Sequence, residues 1–234
     1  SGQQSGMSGR GGMIWNAEWI VDGVPTTDMS SFGSTGYYDF DTFEEMTITT
    51  GGQDASLQTG GIAINLITKR GGNKFQFEAR TFFTNHDLQG DNRTQELLDL
   101  GYVGNQINRI MDYGAQFGGP IVKDRLWFWL AYGVQDIKQL TISGFPKNSR
   151  IININAKLNF RLSDSNRAEL AFMVPNKKAW GRGASVENPP ETTWDQTGMK
   201  NQFLLKFEDE HTFSSHLLLS AKISYGHNGF NLEP

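Results

Sequence analysis

ININAKLNFR, residues Ile152–Arg161, is the stretch whose reading decides the fold. Ile152, Ile154, Ala156, Leu158 and Phe160 alternate without a break with Asn153, Asn155, Lys157, Asn159 and Arg161. Successive side chains of a strand point to opposite faces, so this segment is a β-strand with one apolar face and one amide- and cation-bearing face. The pattern recurs on both sides of it. Leu219, Ala221, Ile223 and Tyr225 stand against Ser220, Lys222 and Ser224, and Phe203, Leu205 and Phe207 against Gln202, Lys206 and Glu208. Ala168, Leu170, Phe172 and Val174 alternate with Arg167, Glu169 and Ala171. Further upstream, Phe75, Phe77, Ala79 and Thr81 oppose Gln76, Glu78 and Arg80, and Tyr113, Ala115, Phe117 and Ile121 oppose Gly114, Gln116 and Gly118.

The connections carry a second rhythm. VKDR (Val122–Arg125), SDSN (Ser163–Asn166) and FSSH (Phe213–His216) are tight, whereas 88–112, 141–150 and 180–196 read as longer polar connections. Short and long alternate, as in outer-membrane barrels with short periplasmic turns and long outer loops. The strands then present aliphatic and aromatic side chains to lipid and polar ones to the lumen. The competing reading is a large soluble sandwich with one wet face. Trp127 and Trp129 share one face of the strand that follows VKDR, and the barrel reading assigns them to the periplasmic aromatic girdle.

Composition narrows the function classes. The chain has 234 residues, 21 Lys plus Arg, 25 Asp plus Glu and no Cys. A net charge of -4 without a basic stripe speaks against nucleic acid as a partner. Without Cys there is no disulfide scaffold, no Cys-ligated metal and no thiol catalysis. The longest nearly unbroken apolar run, Leu126 to Val134, is nine residues, too short for a membrane helix. With 27 Gly and 16 Phe, the composition suits an all-β chain with exposed aromatics. The sequence starts at Ser1 and stops inside a strand pattern at Ile223–Pro234, so a piece of a longer protein is expected.

Ahead of Asn73 the pattern differs. Residues 1–12 are rich in Gly, Ser and Gln. Trp19-Ile20-Val21 runs into Asp22-Gly23, a strand entering a tight turn. Residues 37–45 fit one helical turn, Glu45–Thr50 fits a strand, and Gly60–Lys69 alternates as another. Residues 1–73 therefore form a small α+β unit and residues 74–234 about seven antiparallel strands; the fold class is mainly β.

Ordered motifs in this first part resemble the second half of the plug of TonB-dependent outer-membrane receptors. Val21-Asp22-Gly23-Val24 matches the (V/I)DG(V/I) strand-turn, and Glu45-Met46-Thr47-Ile48-Thr49 the acidic-led strand. Thr50-Gly51-Gly52 stands where those plugs carry an RGP-like turn, with Gly52 in place of Pro. Gly60 to Lys69 (GGIAINLITK) matches the small-residue strand, with Gln58-Thr59-Gly60 where a YG is usual. These departures, and Gly114–Phe128 (GAQFGGPIVKDRLWF), resemble the Oar-like branch. The resemblance is carried by residues 13–140; 141–234 add only strand pattern.

The resemblance implies a barrel of about 22 strands closed around a plug. Residues 1–73 would be the C-terminal half of the plug, and residues 74–234 the N-terminal part of the barrel. It implies a bacterial outer-membrane location and energised uptake of an unknown substrate. The implied partners are outer-membrane lipid and the TonB–ExbB–ExbD complex, reached through a TonB box outside this sequence. Two alternatives are a structural or adhesive surface barrel and a soluble β-rich carbohydrate-binding module. In relatives the segment after the (V/I)DG(V/I) strand climbs to the outer face of the plug. Here it is Pro25–Tyr38, and Thr26, Thr27, Asp28, Tyr37 and Tyr38 supply hydroxyls, a carboxylate and aromatic faces for a polar substrate.

No enzyme is expected: GxSxG, HExxH and GxxxxGK[ST] are absent. His86, His211, His216 and His227 show no ligand spacing, and no cofactor or metal is expected. The acidic group Asp39, Asp41, Glu44 and Glu45 lacks the order of a calcium loop and reads as carboxylates at a helical N-terminal turn. Asn92-Arg93-Thr94 matches a glycosylation acceptor only by chance.

Overall fold

A computed structural model of the chain describes residues 7–9, 13–28, 33–34, 36–51, 59–101, 104, 106–198 and 202–234. Most of the Gly/Ser/Gln-rich N-terminus, the end of the RGP-like turn and part of the Pro25–Tyr38 loop lie outside the described residues.

The first part is a four-stranded sheet of β1 (Glu18–Val21), β2 (Val24–Pro25), β3 (Phe43–Thr49) and β4 (Ala63–Thr68), in the order β2-β1-β4-β3. Asp22 and Gly23 turn the chain from β1 to β2 with φ of 47° and 72°. Two successive left-handed residues are what a two-residue hairpin with right-twisted strands requires, and Asp-Gly supplies them at low cost. β1 pairs parallel with β4, and β3 antiparallel with it. The core is apolar in the ordinary way: Ile64 and Leu66 are 0% exposed, and Trp19, Val21 and Val24 surround them. Among the described residues the helical content here is two 3-10 turns, Ile14–Asn16 and Phe40–Thr42.

The rest is an up-and-down antiparallel sheet. Its strands are β5 (Gln76–Asn85), β6 (Gln106–Val122), β7 (Leu126–Leu140), β8 (Pro146–Arg161), β9 (Asn166–Trp180), β11 (Phe203–Ser214) and β12 (Leu217–His227). These seven are ordered β12-β11-β9-β8-β7-β6-β5, and the path does not close. Two short strands, β10 (Asp195–Gly198) and β13 (Phe230–Glu233), pair with each other, and β10 touches the end of β9 at Gln196–Ala179. They prolong the β11–β12 hairpin beyond its interruption. A five-residue helix, α1 (Gln95–Asp99), sits in the β5–β6 connection, with Thr94 accepting from Leu97 N at its start.

All three tight turns lie at one rim, as the rhythm of connections requires. Arg161 N donates to Arg125 O, and Thr212 N to Ser165 O, which ties the VKDR turn to SDSN and SDSN to FSSH. The strands are longer than their patterns suggest. β8 begins at Pro146, so the connection read as 141–150 is only residues 141–145.

The faces of the large sheet are inverted relative to a soluble sandwich. Along β8, Asn153, Asn155 and Lys157 are buried while Ile154 is exposed. Phe77 is 71% exposed, and Tyr132, Phe172, Phe207 and Ile223 are exposed with it. The buried polar face lies against the small sheet. Side chains of β5, β8, β9, β11 and β12 and the backbone of β7 at Gly133 approach the small unit, so the large sheet wraps around it.

Candidate functional site

The boundary between the two sheets is largely ionic, with one apolar contact where Met173 of β9 and Leu204 of β11 join the small sheet's core. Asp22, on the β1–β2 turn, accepts from Thr68 N at 2.9 Å and Thr68 Oγ1 at 2.6 Å. Its second oxygen lies 3.1 Å from Lys157 Nζ of β8, which is 3% exposed. Lys157 also donates to Thr68 O at 3.2 Å and faces Glu169 at 3.5 Å. Glu169 meets Lys206 at 2.9 Å, Lys206 meets Glu208 at 2.5 Å, and Glu208 meets Lys222 at 3.4 Å. A buried ammonium is tolerable only where carboxylates and carbonyls replace its water, and this chain of pairs provides them.

A second junction forms at Arg80 of β5. Its guanidinium meets Asp39 and Asp41 of the small unit at 2.8 Å each, and Asp112 of β6 at 3.0 Å. Gln135 Nε2 donates to Asp112 at 2.7 Å. Asp39 reaches this place across bare backbone: a Cβ on Gly133 would collide with its carboxylate. The acidic group read as a helical N-terminus is thus partly that, because Asp39 accepts from Asp41 N at the 3-10 turn. Its larger role is to hold Arg80.

The two units are joined through a narrow passage. A Cβ on Gly71 would strike the Phe128 carbonyl, and Gly118 lies beneath the same segment. Asn73 then accepts from Asp124 N at 2.9 Å and Trp127 Nε1 at 2.7 Å, and donates to Asp124 Oδ1 at 2.5 Å. This corrects the girdle reading of the two tryptophans. Trp127 turns inward to Asn73, and Trp129 is 4% exposed beside the same passage. Outward aromatics near this rim include Phe75, Phe117 and Phe128, with ring centroids 5.8 and 5.3 Å apart along the series. Period two fixes which residues share a face, and the strand's polar partners fix which face is inside; tryptophan with its N–H bonded can take either.

The loop residues proposed from sequence fall into two groups. Thr26 is buried and donates to Trp19 O, and Tyr38 Oη donates to Thr26 Oγ1 at 3.2 Å. Thr27 Oγ1 accepts from Trp19 N at 2.9 Å, and its backbone bridges to Ser34. Asp28 N donates to Gly33 O at 2.8 Å. Tyr38 packs edge-on against Phe43. Tyr37 instead leaves the small unit, its ring centroid 4.5 Å from Lys177 Nζ of β9. Sequence reasoning did not single out Lys177, Lys157 or Arg80 as functional. The available signal was their position as cations on the polar faces of strands, which says inside but not what they meet.

Among the described residues no group of three or more His, Asp or Glu side chains is placed to hold a metal. His211 lies tilted against Phe213, with ring centroids 4.3 Å apart, and His216 bonds Ser215.

A β-meander with polar side chains inside and apolar ones outside, wrapped around a small sheet, defines the class: a section of outer-membrane β-barrel with material packed in its lumen. Solved structures agree. The outer membrane transporter YddB from Escherichia coli matches over 93% of this chain and 32% of that chain, with a TM-score of 0.68 and 12% identity. A variant of the ferric enterobactin receptor PfeA from Pseudomonas aeruginosa, in complex with enterobactin, matches over 86% of this chain and 31% of that one, with a TM-score of 0.58 and 13% identity. At such identities the likeness is one of fold. In sequence, the chain is similar to the TonB-dependent transporter Oar of Myxococcus xanthus, 31% identical over 119 residues, or 49% of this chain. The Oar-like resemblance read from the motifs is therefore met in sequence over those 119 residues, and the plug-and-barrel fold that the resemblance implies is met by the solved structures. No protein-family model matches. The chain spans 11% of the curated relative and about a third of the solved structures.

Proposed function

We propose that this chain is the second half of a plug (residues 1–73) and the first strands of its barrel (74–234) in a receptor for TonB-energised uptake. The observation that carries this is the charged network across the boundary between the sheets, beside one small apolar contact at Met173 and Leu204. An apolar interface would bind the small sheet permanently, whereas ion pairs such as Asp22–Lys157 and Asp39–Arg80 exchange partners at little net cost once water enters. Pulling by the TonB–ExbB–ExbD complex then shifts the plug within a lumen that stays hydrophilic. Asp28 and Tyr37 form the plug surface that meets the substrate, with Thr27 and Tyr38 beside them, whereas Thr26 is buried and shapes the loop from beneath. The exposed apolar face weighs against a soluble carbohydrate-binding module.

The test uses the full-length protein carrying Thr47→Cys on the exposed strand β3. Whole cells are treated with a membrane-impermeant maleimide, with and without functional TonB. Labelling is expected to rise only where TonB is functional. Outer-membrane protein with labelling indifferent to TonB would favour the adhesive barrel, and protein found in the soluble fraction would end the barrel reading.

A further inference from the structure

Three lysines are buried on the interior face of the large sheet among the described residues: Lys157, Lys206 and Lys177. Lys157 and Lys206 each sit against carboxylates within 3.5 Å. Lys177 does not. It is 7% exposed, and what it meets is the face of Tyr37. The charged groups that act on it are both cations, Arg182 and Lys147. Lys147 lies on the same inward face of β8, two residues beyond Ser149, whose partner across the ladder is Ala179 of β9.

An ammonium removed from water needs negative charge nearby, and an aromatic face supplies only part of it. Two further cations make the imbalance worse. The place is also informative. Lys177 is three residues from the end of β9 at Trp180 and eleven from Asn166 at the short-turn rim. It therefore lies towards the rim of the long connections, which faces the exterior in such barrels.

We propose that Lys177, with Tyr37 and Lys147, forms a binding site for an anion, a carboxylate- or phosphate-bearing ligand entering the lumen from the long-loop side. This deepens the transport reading above and rests on it for the ligand's role as substrate. The ligand's negative group takes the place beside Lys177 that Glu169 takes beside Lys206, and Tyr37 supplies a flat wall. Lipid phosphates share this chemistry, but the side chain points away from the lipid face, so the occupant is a soluble anion.

The full-length receptor, purified in detergent and shown to be folded by heat-modifiable migration, is titrated calorimetrically with citrate and with pyrophosphate. Saturable binding of either is expected, weakened about tenfold by Lys177→Gln, less by Lys147→Gln, and restored by Lys177→Arg. Arg150→Gln, on the outward face of β8, should change nothing. Absence of binding by folded wild type, or equal binding by Lys177→Gln, overturns the site. Lipopolysaccharide is expected to bind wild type and Lys177→Gln alike; loss of its binding in that variant would overturn the assignment to a soluble anion. TonB plays no part in these titrations, so their failure leaves the maleimide test of energised transport standing.

Discussion

The small sheet and the large one are built from the same period-two alternation and obey opposite burial rules. In the small sheet the apolar face is inside: Ile64 and Leu66 are fully enclosed, with Trp19 and Val21 against them. In the large sheet the apolar face is outside, and Asn153, Asn155 and Lys157 are enclosed. The difference is one of solvent. Water drives the first arrangement by expelling apolar surface. Lipid gives no reward for hiding Ile154 or Phe207, but makes an exposed amide or charge costly. Alternation alone cannot tell the two apart; the buried partners of the polar face can.

The comparison breaks most easily in the small sheet. Leu66→Ala removes a side chain with no exposure from a core that is closely packed, and should destabilise that sheet by about 4 kcal/mol. In the full-length protein the expected result is rapid proteolysis within residues 13–73 while the barrel keeps its heat-modifiable migration. If both units fail together, the small sheet does not have a core of its own.

A smaller effect is expected on the outer face of the large sheet. Ile154 lies near the middle of β8 and is exposed on the side away from the small sheet. Ile154→Arg should hinder membrane assembly, at a cost of roughly 2–3 kcal/mol for a lipid-facing charge near the midplane. In a soluble sandwich the same change on an exposed strand face would be nearly neutral. Arginine tolerated at Ile154 in membrane-assembled protein would thus remove the inversion on which the comparison rests.

Much of this was legible in the sequence, for a physical reason. Alternation and tight turns are local, so the seven strands, their order and the common rim of VKDR, SDSN and FSSH follow from residues close together in the chain. The Asp22-Gly23 turn is legible in the same way, because few residues accept its backbone angles. The partners of charged groups are not local. Asp39 lies 41 residues from Arg80 and Thr68 lies 89 from Lys157, so neither pair leaves a pattern to read. The inward turn of Trp127 depends on Asn73, 54 residues earlier, which pulled it away from the expected girdle. Strand ends were also hidden, since Gln106–Met111 and Pro146–Ile151 lack clean alternation yet extend β6 and β8.

The mildest effect is expected where the two regimes meet. Asn73 leaves the passage beneath Gly71 and is held by three side-chain hydrogen bonds, two to Asp124 of the β6–β7 turn and one to Trp127, the second residue of β7. The site is exposed, so water replaces each lost bond and the net cost of Asn73→Ala should be only about 1 kcal/mol. Neither sheet loses a core contact, and both should stay folded. The expected readout is faster proteolytic cleavage within residues 69–75 with unchanged heat-modifiable migration. Asn73→Asp separates the acceptor role from the donor role. It keeps an oxygen for Asp124 N and Trp127 Nε1 but sets a second carboxylate where Asn73 donates to Asp124 Oδ1. Like charges there repel, so cleavage should be faster than in the alanine variant at low salt and should approach it as salt is raised. If neither variant changes cleavage, the joint is held by the close backbone passage at Gly71 alone, and Asn73 only decorates it.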